Sequence, residues 1–139
     1  MPLTYTLRAG DKVLHLILGG RYMVKRTYAL KLYGEFANIY NLDEVNPESI
    51  KNPGLIINID SGAKNLLQRD INPSEFFLSR LDILTQCVIT GCEIGSGVVP
   101  LDSFSRKWRD ETGKLYQILA DKADIVDRIF AGLALRLKG

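Results

Sequence analysis

The stretch Cys87–Asp124 constrains the fold of this chain more than any other part of it. It begins C-V-I-T-G-C-E-I-G-S-G-V-V-P, a short apolar run and a glycine-rich turn ending in Pro100, and continues from Leu101 to Asp124 as an amphipathic segment. An apolar run this short between polar flanks fits a buried strand of a parallel sheet, because Val88 and Ile89 are β-branched and Gly91 closes the run. Glu93 then stands where the strand ends. Ligands of open α/β sheets lie in the crevice beyond the carboxyl ends of the strands, which makes Glu93 a candidate site residue. Gly95 and Gly97 permit positive φ or close approach of backbone to a ligand, and Pro100 stiffens the exit. A tight strand-to-helix loop that holds no ligand is the alternative reading of the same residues.

The segment that follows has a helix start signal in Asp102 or Ser103, after which Phe104, Trp108, Glu111, Leu115 and Leu119 recur at helical spacing. One stripe therefore faces the sheet, and Arg106, Arg109, Asp110, Lys114 and Asp121 fall mostly on the other side. Gly113 in the interior costs roughly 1 kcal/mol relative to alanine, so it is expected to allow close packing or a bend.

The wording of this region is more specific than its pattern. E-I-G-S-G-V-V-P, followed by Arg106, Trp108, Arg109, Asp110, Gly113, Leu115, Gln117, Ala120, Ala123 and Asp124, resembles the closing third of the CobU family. That family comprises the bifunctional adenosylcobinamide kinases and adenosylcobinamide-phosphate guanylyltransferases. There the segment runs approximately N-E-V-G-x-G-I-V-P, then R-x-F-R-D-x-x-G-x-L-N-Q-x-x-A-x-x-A-D. The resemblance implies a phosphate-binding-loop, nucleotide-kinase-like topology with room for antiparallel last strands, GTP or ATP with Mg2+ as cofactors, and a homo-oligomer, since relatives are trimers.

At 139 residues with 46% hydrophobic content the chain is expected to be one domain with its own core. A net charge of +2 is too small to argue for nucleic acid. No signal peptide and no apolar run long enough to cross a bilayer are read. Cys87 and Cys92 lie in and at the end of one strand, too extended to bridge each other, so both read as packing residues and the cytoplasm is the expected compartment.

Residues 1–11 read as a polar lead-in with a short strand at Leu3–Leu7, and Lys12–Leu18 as the first firm strand. It runs into G-G-R-Y-M-V-K-R and then a helix expected to carry Tyr28, Leu32, Phe36 and Tyr40 on one face. Strand, glycine turn, lysine, helix is the layout of a phosphate-binding loop. Free backbone N–H groups and the helix dipole hold an anion there, and the lysine reaches the outer phosphates. Gly19 and Lys25 match G-x-x-x-x-G-K-[ST] in register, but Val24 replaces the second glycine and Arg26 the metal-binding hydroxyl. The CobU family opens with a similar strand and G-G-A-R-S-G-K-S-R-Y-A, onto which Gly19, Gly20, Lys25, Tyr28 and Ala29 fall. Arg21, Lys25 and Arg26 cluster at a helix start, where a bare helix prefers acidic side chains. A bound phosphate, a neighbouring carboxylate or plain solvation would each reconcile that. Gly19, Gly20, Arg21, Lys25, Arg26, Gly95 and Gly97 are thus the candidate nucleotide-binding residues.

Asn41–Pro53 reads as a linker, and here members of the family usually carry some forty more residues, including the histidine that accepts the guanylyl group. The sole histidine, His15, lies inside the first strand and matches no such nucleophile, so it reads as a core or edge histidine. Gly54–Asp60 is the next expected strand and delivers Asp60 to its carboxyl end, as a magnesium-holding carboxylate or as a cap of the following turn. Asn72-Pro73-Ser74-Glu75 starts a helix whose buried face is Phe77, Leu81 and Leu84. Ile125–Phe130 is a strand, and Leu133–Leu137 a last apolar run.

The resulting expectation is an α/β domain, a mostly parallel sheet of about four or five strands with helices on both faces. Lys25, Asp60 and Glu93 are the candidate catalytic residues, with Asp60 and Glu93 also the candidate metal ligands. Two functions follow: nucleotide-dependent phosphoryl transfer to adenosylcobinamide, or a catalytically degenerate relative that binds nucleotide, corrinoid or a partner without turnover.

Overall fold

The structure, a computed structural model, describes residues 13–20, 24–94 and 102–139. The strand expected at Leu3–Leu7, the residues Arg21, Gly95 and Gly97, and the turn up to Pro100 lie outside the described residues.

In chain order the elements are β1 (His15–Gly19), α1 (Val24–Tyr33), β2 (Ile39–Asn41), a 3-10 turn at Pro47–Ser49, β3 (Leu55–Ile57), α2 (Ile59–Gln68) and α3 (Pro73–Leu78). They continue with α4 (Leu81–Leu84), β4 (Val88–Cys92), α5 (Ser103–Lys122), β5 (Ile125–Phe130) and β6 (Leu133–Lys138). The strands form one sheet in the order β2-β3-β4-β1-β5-β6. Every pairing is parallel except β5 with β6, which is antiparallel. This is the expected α/β class, with six strands among the described residues against the four or five expected.

Period-two alternation divides the core between the two faces of the sheet. Leu14 and Leu16 of the β1 region, Ile56, Ile89 and Val126 pack with Leu66, Phe77, Leu115 and Leu119 on the side of α2, α3 and α5. Ile17, Leu55, Ile57 and Val88 turn the other way and meet Ala29 and Tyr33 of α1 in a smaller cluster. The caps follow local chemistry: Asp102, not Ser103, accepts from the Ser105 amide at 2.7 Å, and Asn72 accepts from the Glu75 amide at 3.1 Å.

Five expectations need correction. The helix expected to start at Asn72 and bury Phe77, Leu81 and Leu84 is two short helices, α3 and α4, and Leu81 is only partly buried. The first helix stops at Tyr33, because Gly34 takes φ +76° and its amide closes on the Leu30 carbonyl, so Tyr40 lies in β2 rather than on a helical face. Asn41–Pro53 is more than a linker: it completes β2, makes the 3-10 turn and buries Leu42 and Ile50. The strand expected over Gly54–Asp60 ends at Ile57, since Asn58 adopts φ +59° and starts α2, which puts Asp60 in the first turn of that helix. Gly113 neither packs closely nor breaks α5, as a β-carbon there would meet nothing within 4 Å. Close approach is required elsewhere: a β-carbon on Gly54 would lie 2.1 Å from the Asn38 carbonyl oxygen, and one on Gly91 2.6 Å from the Tyr116 hydroxyl.

Candidate functional site

The carboxyl ends of β1, β3 and β4 converge beside the first turn of α1. β1 delivers Gly19 and Gly20 there; parallel pairing sets Gly19 against Cys92, and the Glu93 amide donates to the Gly19 carbonyl at 3.0 Å. α1 opens with Val24, Lys25 and Arg26 and has no acidic residue in its first turn. Lys25 is 3% exposed, and its ammonium donates to the Gly20 carbonyl. A shallow pocket lies against this turn, lined by Gly20, Val24 and Lys25 on one side and by Ile129, Ala131 and Gly132 of the β5–β6 hairpin on the other.

Asp60 reaches the same region from α2. Its Oδ1 accepts from the Cys92 amide at 2.9 Å, and its carbonyl accepts from the Trp108 indole at 2.8 Å, which ties α5 to the site. Burial raises the Asp60 carboxyl above its ordinary value; the Cys92 N–H opposes this, Asp43 adds to it and Lys25 counters it. Burial, and then Asp60, also raise the Cys92 thiol, which is free and buried. The Tyr116 hydroxyl donates to the Cys92 carbonyl and is pushed up by burial first, then by Asp60, Cys92 and Glu93.

Glu93 takes a different course from Asp60. Both of its oxygens are held by Arg128, from Nε at 2.7 Å and Nη2 at 3.0 Å, across β1 from one neighbouring strand to the other. The structure therefore brings Lys25 and Asp60 together around Cys92 and engages Glu93 with a guanidinium. Among the described residues no group of three histidines, cysteines or acids gathers as a ready metal site.

His15 is 0% exposed, with Nδ1 2.5 Å from the Tyr33 hydroxyl and Nε2 donating to Asp127 Oδ2 at 2.6 Å. That is the core histidine expected, held more tightly than an ordinary one. Asp127 also accepts from Tyr28 at 2.9 Å and from Arg136 at 2.6 Å. Burial pushes its carboxyl up, but the hydrogen bonds from His15, Arg136 and Tyr28 outweigh burial and hold it below the ordinary value. Sequence reasoning missed this network and Arg128. The available signal was D-R inside I-V-D-R-I-F, two charges in a strand whose neighbours are apolar.

Among the described residues no helix is long and apolar enough to cross a membrane. Residues 63–137, from α2 through β6, match the family described as cobinamide kinase / cobinamide phosphate guanyltransferase. Gly19–Lys25 and Asp60 precede the matched range, and Glu93 lies within it. The chain is also similar to the bifunctional adenosylcobalamin biosynthesis protein CobP of Pseudomonas aeruginosa, 42% identical over 52 residues. That alignment spans 37% of this chain and 30% of the relative. Since the match takes in more than half of the sequence and runs through α5 and the antiparallel β5–β6 pair, this chain belongs to the cobinamide kinase / cobinamide phosphate guanyltransferase family.

Proposed function

We propose that this chain acts in cobalamin assembly and binds the phosphates of GTP or ATP at the turn between β1 and α1. The observation that carries the reading is Lys25, a lysine almost wholly buried in the first turn of α1 with its ammonium on the carbonyl that ends the β1 turn. A buried ammonium is costly unless it meets acceptors, and at a helix start it adds to a dipole that already favours anions. Phosphate oxygens satisfy both.

The reaction this arrangement suits best is phosphoryl transfer to the hydroxyl of adenosylcobinamide. Lys25 neutralises charge developing on the transferred group, and Asp60 orients the hydroxyl from the carboxyl ends of β3 and β4. The donor set fits magnesium in part: Arg26 stands where a ligating hydroxyl is needed, and Arg128 occupies both oxygens of Glu93. A magnesium ion would be held by Asp60 and the nucleotide's own phosphate oxygens, and when bound it supplies charge neutralisation. Guanylyl transfer through histidine has no support, because both ring nitrogens of His15 are engaged inside the core.

A second reading, ligand binding without turnover, is favoured by the Glu93–Arg128 pair together with Val24 and Arg26. The proposal extends to a homo-oligomer and to the cytoplasm. Phe130, Leu133, Leu135 and Leu137 of the β5–β6 hairpin are each at least 46% exposed, and the two cysteines are free.

Isothermal titration with GTP and ATP, with and without magnesium, tests the reading, followed in the same samples by transfer of labelled phosphate to adenosylcobinamide. Binding with transfer supports the first reading, and binding without transfer selects the second. No binding of either nucleotide up to about millimolar concentration removes the first reading and leaves the second only as binding of a corrinoid or a partner.

A further inference from the structure

We infer that His15, Asp127, Tyr28 and Arg136 are positioning residues for the Lys25 pocket: they fix the separation of α1 from the β5–β6 hairpin, the gap in which a nucleotide phosphate sits. The inference rests on the reading of that pocket as a phosphate site.

The pocket has two walls on different elements, Val24 and Lys25 on α1 against Ile129, Ala131 and Gly132 on the hairpin. Each wall leads to the same buried carboxylate. Tyr28 lies one helical turn beyond Val24 and donates to Asp127 Oδ2; Asp127 lies two residues before Ile129 on the same face of β5. Arg136, paired with Asp127 in the antiparallel ladder, donates to Oδ1 at 2.6 Å and brings in β6. His15 closes the set from β1, between Asp127 and the Tyr33 hydroxyl at the far end of α1. Four elements are thus tied to one carboxylate that is 1% exposed.

Apolar residues of similar volume would pack this face at a smaller desolvation cost, so what the polar set adds is fixed geometry. The fit above it has little slack. A β-carbon placed on Gly19 would stand 2.9 Å from the Ile129 carbonyl oxygen and 3.5 Å from Lys25 Cδ, so β1, β5 and the lysine stem are already in contact. A displacement of α1 against β5 is felt at Lys25.

The single histidine makes this testable, because its ring signal in an NMR spectrum has one source. GTP is titrated into the full chain while the His15 ring resonances are followed. Affinity is then measured by calorimetry for wild type, Tyr28→Phe and Asp127→Asn, well below the unfolding midpoint of each. The expected result is a His15 shift that saturates with GTP, and affinity about three- to tenfold weaker in folded Tyr28→Phe, the range that coupled network residues transmit. A purely structural role lowers the melting point and leaves both readings unmoved. Where Asp127→Asn does not fold, Tyr28→Phe decides. Wild-type affinity in Tyr28→Phe with an immobile His15 signal overturns the inference and leaves the phosphate site standing. Where GTP does not bind to wild type the same titrations are run with ATP, and absence of binding of both removes the phosphate site, and the inference with it.

Discussion

The two faces of the sheet are closed by different means. On the side of α2, α3 and α5 a large apolar cluster runs from Leu14 and Leu16 through Ile56 and Ile89 to Leu115 and Leu119. On the side of α1 the apolar cluster is small, and the buried His15–Asp127 pair with its tyrosines and Arg136 does much of the holding. Apolar packing tolerates small shifts because it is non-directional, whereas a hydrogen-bonded carboxylate has narrow geometric limits. The candidate pocket lies on the face with the narrow limits.

The largest expected effect follows directly. Asp127→Ala leaves His15 and Arg136 without their acceptor and is expected to cost about 3–5 kcal/mol in urea unfolding, as for other broken buried pairs. Leu115→Ala on the opposite face is expected to cost about 2–5 kcal/mol through lost burial and a cavity. If Asp127→Ala costs much less than Leu115→Ala, the polar network is not what closes the α1 face.

Acid titration separates the faces further. The folded Asp127 carboxyl is held below its unfolded value, so its stabilisation is present above the ordinary carboxylate range and is lost as pH falls through the folded value. Asp60 is raised, with the opposite sign: its folded form binds the proton more tightly, and stability falls as pH rises past the unfolded value through the folded one. Asp60→Asn is therefore expected to raise the melting point at neutral pH and to weaken magnesium-dependent nucleotide binding, the opposed changes typical of a site residue. A lower melting point in Asp60→Asn would make Asp60 a structural cap instead.

The smallest effect concerns the hairpin wall of the pocket. Ala131 and Gly132 both have positive φ, +51° and +76°, the pattern of a two-residue turn that favours glycine or asparagine at its first position. Ala131→Gly is expected to stabilise by about 0.5–1 kcal/mol, measured by the shift in urea midpoint, by relieving the left-handed alanine.

What was legible in the sequence tracks how local each cause is. β4, α5 and β5 were readable because an apolar run, an Asp102 cap and a recurring stripe are each complete within one segment. β2 was hidden because Tyr40 stands at helical spacing from Phe36, and only the left-handed Gly34 ends the helix before it. Asp60 was placed on a strand because Asn58 gives no apolar break, although its φ of +59° turns the chain into α2. Lys25 stands in the first turn of α1, where the strand–turn–lysine–helix layout places it. The engagement of Glu93 by Arg128, and of His15 by Asp127, spans 35 and 112 residues, so only the strand order brings those partners together.

The central claim is that the β1–α1 turn holds nucleotide phosphate through Lys25. Its most direct test is backbone amide mapping by NMR as GTP is added to wild type and to Lys25→Met, a change that keeps the buried stem and removes the charge. The account predicts that the largest shifts fall on Gly19, Gly20, Val24 and Lys25 in wild type and vanish in the variant. Shifts of equal size in both proteins, or shifts centred away from this turn, would contradict it.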